Sequence, residues 1–233
     1  MKIYKTPPQL LAKSYIGTTG RTVHETCYGS QEGRIAKLKA KGIGLLVNQE
    51  LLNAYDCYLC PVIQNGKIGF INSYAEIVIQ PQYDNITGEF TSPESMIVVC
   101  KDNKWGVLNT DGLEMLMGEY RSISLVGTQY AIVMNSEYQR GIIEVLTKKM
   151  TIPFGEYDSL DYYNNLLIAR KKLLKGLITP TGNLLTLIQY KWISGVEYGL
   201  LRVIIEEKTD DTVIKRWGLI DTQGNEILPA IYD

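Results

Sequence analysis

The sequence has only one histidine, His24, in 233 residues. A Ser-His-Asp triad or a Cys-His pair would therefore have a single possible base. The residues around His24 are Thr22, Val23, Glu25 and Thr26, and they form no nucleophile motif. This scarcity argues against hydrolytic catalysis through histidine, and we expect a protein that is not an enzyme.

Cysteine is also scarce. Cys27, Cys57, Cys60 and Cys100 are too few for a disulfide scaffold at this length. The C-x-x-C spacing of Cys57 and Cys60 could in principle form a zinc site with the other two. Structural zinc usually uses two such knuckles on glycine-bearing turns, whereas this pair runs into the apolar stretch 61–63. We therefore expect buried thiols that pack as small hydrophobic groups, with no metal and no cofactor.

The chain has no excess of either charge, because 24 basic and 25 acidic residues leave a net charge of -1. No global field would attract nucleic acid or an anionic membrane, so we expect neither as a partner. Residues 1–22 lack an apolar run long enough for a signal peptide or a membrane span. The sequence indicates a cytoplasmic protein, although a chain trimmed of its signal peptide would look the same.

Charge is concentrated in two short segments. The densest basic group comprises Arg170, Lys171, Lys172 and Lys175, and the acidic segment spans 206–211. Phosphate contact and calcium binding are the functional interpretations. The acidic segment lacks the glycine and spaced oxygen ligands of a calcium loop, and neutral overall charge argues against a nucleic-acid groove. Both segments are therefore predicted to be solvated hairpin tips.

What the chain does have is a repeat. An aromatic or apolar residue followed by glycine recurs at intervals of 37, 35, 35 and 42 residues, with a tyrosine almost always fourteen residues after the glycine. A fixed period of this length indicates one supersecondary unit per copy and a stacked architecture. The residues that we predict to be structural are Gly69 with Tyr83, Trp105 and Gly106 with Tyr120, Gly141 with Tyr157, Gly176 with Tyr190, and Trp217 and Gly218 with Tyr232.

Each copy predicts three strands. A β-branched or aliphatic run such as 96–99 leads through a short polar link into the glycine strand, which suggests a tight hairpin. A second glycine follows six residues later in three copies, at Gly112, Gly182 and Gly224, and indicates a turn with a left-handed residue. The third strand contains or precedes a proline (Pro81, Pro153 and Pro229), so it should end there or shift to a sheet edge.

The first motif glycine needs a separate explanation, because glycine inside a strand costs about 0.5–1 kcal/mol relative to alanine. We hypothesise that the missing side chain lets an aromatic ring, the tyrosine of the same or an adjacent repeat, lie flat on the backbone. The amino-terminal residues 1–56 are predicted to be an atypical cap, which could contain two degenerate copies. A helix over about 31–41, with Ser30 as its N-cap, is the competing interpretation of part of this cap.

This pattern resembles the WG-repeat (KWG-repeat) family, whose unit is an aliphatic strand, Lys-Trp-Gly, a turn glycine, an aliphatic-Pro segment and Tyr-Asp. Residues 218–233 match the unit nearly in full, residues 97–121 match well, and residues 62–85 match without the tryptophan. The copies at Gly141 and Gly176 have Arg140 and Lys175 in place of tryptophan. The resemblance covers residues 57–233. It implies a bacterial protein with β-repeat structure and a binding role, and it supplies no catalytic residues.

Together these patterns predict an all-β fold of about five three-stranded antiparallel repeats of ~35 residues, with an open twisted stack favoured over a closed β-propeller. The favoured function is a binding scaffold for another protein through its inter-repeat loops, in one version a toxin-neutralising or effector-associated protein. A module for carbohydrate or cell-envelope ligands is the alternative. The candidate partner surface comprises Tyr138, Tyr162, Tyr163, Trp192 and Tyr198.

Overall fold

The computed structural model describes residues 38, 40–45, 58–72, 76–208 and 212–232. Within these residues the chain forms nineteen strands in five antiparallel sheets, and none of these sheets is closed. The chain divides after Glu119 into two compact units. The predicted all-β fold with five repeated sheets is confirmed. The amino-terminal cap lies mostly outside the described residues, as do Cys27, Cys57 and His24.

The first unit contains sheets 1 and 2. Sheet 1 comprises β1 (Gly44–Leu45), β2 (Cys60–Gln64), β3 (Lys67–Ile71) and β4 (Ile77–Tyr83), and sheet 2 comprises β5 (Asn85–Thr87), β6 (Met96–Lys101), β7 (Lys104–Asn109) and β8 (Glu114–Gly118). In each sheet the strands follow chain order.

The second unit contains sheets 3, 4 and 5, whose strands also follow chain order. Sheet 3 comprises β9 (Ser122–Val126), β10 (Tyr130–Met134), β11 (Arg140–Glu144) and β12 (Lys149–Ile152); sheet 4 comprises β13 (Ser159–Tyr163), β14 (Leu166–Lys171) and β15 (Leu174–Ile178); sheet 5 comprises β16 (Trp192–Ile193), β17 (Leu200–Lys208), β18 (Val213–Asp221) and β19 (Glu226–Tyr232).

The predicted number of three strands per sheet is wrong for four of the five sheets, which have four. In sheets 2 to 5 the additional strand is the first one, which begins two residues after a motif tyrosine. The backbone N–H after that tyrosine already bonds to the next hairpin, as from Asp84 to the Cys100 carbonyl at 2.8 Å. Sheet 4 has three strands because residues 183–190 form only isolated bridges, through Leu184 and Tyr190.

The predicted hairpins are confirmed. Several have two central residues with positive φ, such as Asp102 (50°) with Asn103 (62°) and Lys172 (51°) with Leu173 (70°). This backbone belongs to a type I′ turn, whose twist matches that of the flanking strands. The basic segment around Lys172 is therefore the tip of the β14–β15 hairpin, and the strands on either side of the acidic segment, β17 and β18, are the two longest.

The aspartate after the motif tyrosine holds the next hairpin. Asp84 Oδ2 accepts a hydrogen bond from the Asp102 N–H at 2.8 Å, and Asp158 Oδ2 accepts one from the Lys172 N–H at 2.7 Å. Lys67 also donates to Asp84. The hydrogen bonds from Lys67 and the Asp102 backbone hold the pKa of the Asp84 carboxyl below its usual value. Each of these aspartates thus joins the end of one repeat to the turn of the next.

At Gly69 and Gly218 the space of the missing side chain is taken by backbone and not by the aromatic ring that we expected. A Cβ built on Gly69 would lie 2.5 Å from the Ile79 carbonyl oxygen and 2.6 Å from Pro81 N. At Gly218 it would lie 2.8 Å from the Leu228 carbonyl oxygen and from Ala230 backbone atoms. The strand pairing shifts register beside these glycines. The missing side chain therefore admits the last strand of the same repeat at a β-bulge, where a side chain would collide with backbone.

The second glycine of the motif has the predicted left-handed backbone, with φ of 80° at Gly112, 89° at Gly182 and 87° at Gly224. Prolines also behave as predicted. Pro81 and Pro229 lie in β4 and β19, which are edge strands, and Pro153 directly follows the edge strand β12. A residue without an N–H is tolerated there because one side of the strand has no partner.

Hydrophobic layers fill the space between successive sheets of each unit. In the first unit Phe70, Ile79 and Tyr83 of sheet 1 pack with Phe90, Ile97 and other residues of the sheet 2 repeat. Comparable layers lie between sheets 3 and 4 and between sheets 4 and 5. The other face of sheet 1 is covered by Leu38 and Ile43, which pack on Cys60, Val62 and Ile71. Leu38 and Ala40 are helical, as the competing interpretation of this segment predicted.

Candidate functional site

A row of four large side chains crosses sheet 5 on one face. Trp192 pairs with Ile204, Ile204 with Trp217, and Trp217 with Tyr232, so one residue comes from each strand from β16 to β19. Residues in register on neighbouring strands point to the same side of a sheet, and their side chains touch. Two more apolar residues of that face, Leu219 and Leu228, pair with each other beside the row. We call these six residues the aromatic face: Trp192, Ile204, Trp217, Leu219, Leu228 and Tyr232.

The aromatic face is exposed. Trp192 and Trp217 are each 38% exposed, Leu228 is 41% exposed and Tyr232 is 52% exposed. The two indole rings meet edge to face with their centroids 6.1 Å apart. Ile204 lies between them in the row and is buried. The two tryptophans therefore form a preorganised apolar surface that remains open to solvent.

The equivalent face of sheet 1 is covered. Its register is the same, with Ile68 opposite Tyr83 and Phe70 opposite Ile79. All four residues are buried, and the layer that covers them includes Ile97, Val99 and Leu108 of sheet 2. In sheet 3 the corresponding pair of Ile142 and Ile152 is buried against sheet 4. Sheet 5 thus exposes the positions that these two sheets bury under the following repeat.

Charged side chains lie around the aromatic face in pairs. Lys191 lies 3.4 Å from Glu206, and Arg202 lies 3.9 Å from Glu197. Arg202 is in register with Leu219, at the position of Pro61 in sheet 1 and Ile132 in sheet 3. Exposed ion pairs of this kind contribute little energy, typically under about 1 kcal/mol. The apolar rings and leucines therefore dominate what this surface can bind.

The five predicted surface residues occupy different places. Only Trp192 belongs to the aromatic face. Tyr138 is exposed at a turn with φ of 64°, and the Arg121 guanidinium lies 4.1 Å from its ring centroid. Tyr198 is fully exposed at the turn before β17. Tyr162 and Tyr163 are neighbours in β13, where the Tyr162 hydroxyl donates to Asn165 Oδ1 at 3.1 Å.

Sequence reasoning missed Trp217, Leu228 and Tyr232 as surface residues. Trp217 and Tyr232 were assigned a structural role because they carry the repeat motif, and their counterparts Ile68 and Tyr83 do have that role. The motif residues are the same whether or not another layer packs on them, so the sequence carries no signal for this exposure.

A separate cavity of about 430 Å³ lies within the second unit. Its lining combines polar residues (Tyr162, Asn164, Asn165, Thr222 and Gln223) with aliphatic ones such as Leu166 and Leu177. All of its lining residues are uncharged. Amide and hydroxyl groups that both donate and accept suit a neutral, hydroxyl-rich ligand.

No group of three or more His, Cys, Asp or Glu side chains that could hold a metal ion occurs in the described part of the chain. Cys60 and Cys100 are buried, as predicted for thiols that pack as hydrophobic groups, and burial raises the pKa of the Cys100 thiol. Among the described residues, no helix has the length and hydropathy needed to cross a membrane.

Two segments of the chain are similar to a known repeat family. Residues 68–105 and 217–233 match the model of the WG containing repeat. The match confirms the resemblance seen in the sequence, and the second matched segment carries four residues of the aromatic face: Trp217, Leu219, Leu228 and Tyr232. The copies at Gly141 and Gly176, which lack the tryptophan, lie outside the matched segments.

No curated protein sequence matches the chain. Among solved structures, a eukaryotic initiation factor matches with a TM-score of 0.42 and 10% identity over 70% of this chain and 49% of that one. A second is the N-terminal domain of Nup159, with a TM-score of 0.38 and 12% identity over 70% of this chain and 55% of that one. A third is the C-terminal WD40 domain of Sif2, with a TM-score of 0.34 and 14% identity over 70% of this chain and 54% of that one. The chain spans about half the length of the structures it matches.

Proposed function

We propose that this protein is a non-enzymatic scaffold that binds another protein through the aromatic face of sheet 5. The observation that carries the proposal is the exposure of Trp217, Leu228 and Tyr232 at positions that are buried in sheet 1. Exposed tryptophan and tyrosine on a rigid sheet are the residues that contribute most to protein interfaces. The proposed contact is on a sheet face, whereas the sequence favoured the inter-repeat loops.

The test is quantitative capture of partners from a lysate of the source organism, with three variants compared with the wild type. Trp217→Ser and Tyr232→Ser remove side chains of the aromatic face, and Tyr198→Ser removes a tyrosine that is more exposed but lies elsewhere. We expect one protein in stoichiometric amount with the wild type and with Tyr198→Ser. The face variants should weaken its binding at least about tenfold, which corresponds to about 1.4 kcal/mol.

Equal retention by the Trp217→Ser and Tyr232→Ser variants would contradict the proposal. Thermal melts of all variants show whether a loss of binding has a different cause, namely a loss of folding. The identity of the captured protein tests the finer version of the proposal, in which the partner is a toxin or an effector.

A carbohydrate ligand is the second candidate, and the uncharged cavity beside Tyr162 favours it. Its amide and hydroxyl side chains would bind hydroxyl groups, and its aliphatic residues would contact the C–H face of a sugar ring. A glycan array with the wild type and with Asn164→Ala and Gln223→Ala separates the two functions. A sharp hit that these variants abolish would favour carbohydrate binding, whereas an empty array leaves the protein partner as the better account.

A further inference from the structure

Turn glycines make a recurring contact between successive sheets. A Cβ built on Gly112 of sheet 2 would lie 3.3 Å from Cγ1 of Ile79 in sheet 1. One built on Gly182 of sheet 4 would lie 3.6 Å from Cγ1 of Ile152 in sheet 3. Each of these turns therefore packs against the aliphatic side chain that the last strand of the preceding sheet presents.

The corresponding residue of sheet 5 is Leu228. It pairs with Leu219 as Ile79 pairs with Phe70, and it is exposed. None of the glycines in the described part of the chain has its ideal Cβ near the Leu228 side chain. Sheet 5 thus has the surface that accepts a glycine turn, and the described residues supply no turn to it.

A second contact in sheet 1 defines the occupant further. The Tyr83 hydroxyl donates to Glu114 Oε1 of sheet 2 at 3.3 Å, and Glu114 follows Gly112 by two residues. Tyr232 occupies the position of Tyr83 in sheet 5. A turn that packs on Leu228 in the same way would place an acidic side chain beside the Tyr232 hydroxyl, on the same face as the basic Arg202.

We propose that the aromatic face binds a β-hairpin of the partner protein, with glycine at its turn, an acidic residue two positions later and aliphatic side chains facing Trp217 and Leu219. This inference rests on the proposed function, because it names the kind of partner that the face accepts. It continues the interface that joins sheet 1 to sheet 2, with the hairpin in the place of the following repeat.

Binding through the face is favoured over addition of a strand to the edge. β19 is the edge of sheet 5, and Pro229 in its centre lacks the N–H that an added strand would need. A second copy of the chain is a poor occupant. Its turn glycines Gly112, Gly182 and Gly224 already pack against their own preceding sheets, and Leu38 and Ile43 cover the free face of its sheet 1.

The test appends a second copy of residues 85–119 directly after Asp233. Asp233 follows Tyr232 as Asp84 follows Tyr83, so the appended copy begins where sheet 2 begins after sheet 1. This segment contains the four strands of sheet 2 with the Gly112 turn, and with Trp105→Phe in the appended copy it is the probe. Its matched control has Gly112→Val in the appended copy, which blocks packing of the turn on Leu228. The host chain carries 5-fluorotryptophan at 105, 192 and 217, so that fluorine NMR reports each indole separately.

We expect the native probe to shift the resonances of Trp192 and Trp217, to protect them from a soluble paramagnetic agent and to leave Trp105 unchanged. The control should produce neither effect. Equal shifts with the probe and with the Gly112→Val control, or no shift with either, would overturn the inference. A dimer of the chain without a probe, detected by sedimentation and lost with Trp217→Ser, would also overturn it in favour of a second copy.

Failure of this inference differs from failure of the proposed function. If a partner is captured in a Trp217-dependent way but the probe does not dock, only the inference of a hairpin ligand is rejected. If the probe docks but no partner is captured, only the proposed function as a scaffold for another protein is rejected.

Discussion

At the scale of single residues, each motif glycine is needed because a later segment of the same repeat occupies the space of its side chain. Around Gly69 the nearest atoms to an ideal Cβ are backbone atoms of residues 79–81, which cannot rotate away as a side chain could. The cost of glycine in a strand is offset by the bulged strand that it admits. Ile68, the residue before Gly69, then points to the opposite face, toward sheet 2.

Gly69→Ala should therefore destabilise the protein by about 1–3 kcal/mol, because the new methyl group collides with backbone. Gly195→Ala is the control, since its Cβ would lie at an ordinary distance of 3.5 Å from Tyr163. It should change stability by less than about 0.5 kcal/mol. Urea unfolding of both variants measures the difference, and equal losses would contradict the explanation.

Asp84→Asn tests the aspartate that holds the neighbouring hairpin. Hydrogen bonds from Lys67 and the Asp102 N–H lower the pKa of Asp84 from 3.8. The folded state thus prefers the ionised form, so the stabilisation is present above about pH 4 and is lost as the pH falls through the lowered pKa. The variant should be less stable than the wild type at pH 7, and the gap should narrow toward pH 2.

The control for this prediction is Glu89→Gln, which changes an exposed carboxylate that forms no ion pair among the described residues. Urea midpoints at pH 7, 4, 3 and 2 give the comparison. A gap between wild type and Asp84→Asn that stays constant with pH would show that charge is not the cause.

At the scale of elements, the turn between the second and last predicted strands joins one sheet to the sheet before it. Gly224 has a left-handed backbone, and its ideal Cβ would collide with the Leu185 carbonyl group of sheet 4. The glycine thus meets two requirements at once, a φ that other residues avoid and close contact with a neighbouring repeat. Glycine spacing in the sequence therefore indicates how repeats pack as well as where turns lie.

Gly224→Ala and Gly199→Ala separate these two requirements. Gly199 has a similar φ of 78°, but its ideal Cβ would meet no atom within 4 Å. Both variants carry the backbone cost of about 1 kcal/mol or more, and Gly224→Ala adds the collision with Leu185. Thermal melts should show the larger loss for Gly224→Ala. A loss at Gly199 as large as that at Gly224 would mean that contact between sheets adds nothing.

Local chemistry explains which elements could be predicted from the sequence. Turn residues such as Asp102 and Gly112, and the aliphatic run at 96–99, have backbone preferences that act over a few residues. The first strands could not be predicted, because segments such as 85–87 and 192–193 are too short to show periodicity. Exposure of the aromatic face was also hidden, since Tyr83 and Tyr232 carry the same motif and differ only in what packs on them.

At the scale of the molecule, each unit buries its hydrophobic residues mainly between sheets. Sheets 1, 3 and 4 each have one face covered by the following sheet of the same unit, and a sheet with no such layer among the described residues keeps an apolar face open. Sheet 5 has this property, with two tryptophans in edge-to-face contact and Leu228 beside them. In this account the residues that stack repeats are also the residues that bind the partner.

Photo-crosslinking tests this claim most directly. Benzoylphenylalanine replaces Tyr232 on the aromatic face or Tyr198 outside it, and each protein is irradiated in lysate of the source organism. The account predicts a crosslink to one protein from position 232, lost when Trp217→Ser is added, and no crosslink to that protein from position 198. A crosslink to the same protein from position 198, with none from position 232, would contradict it.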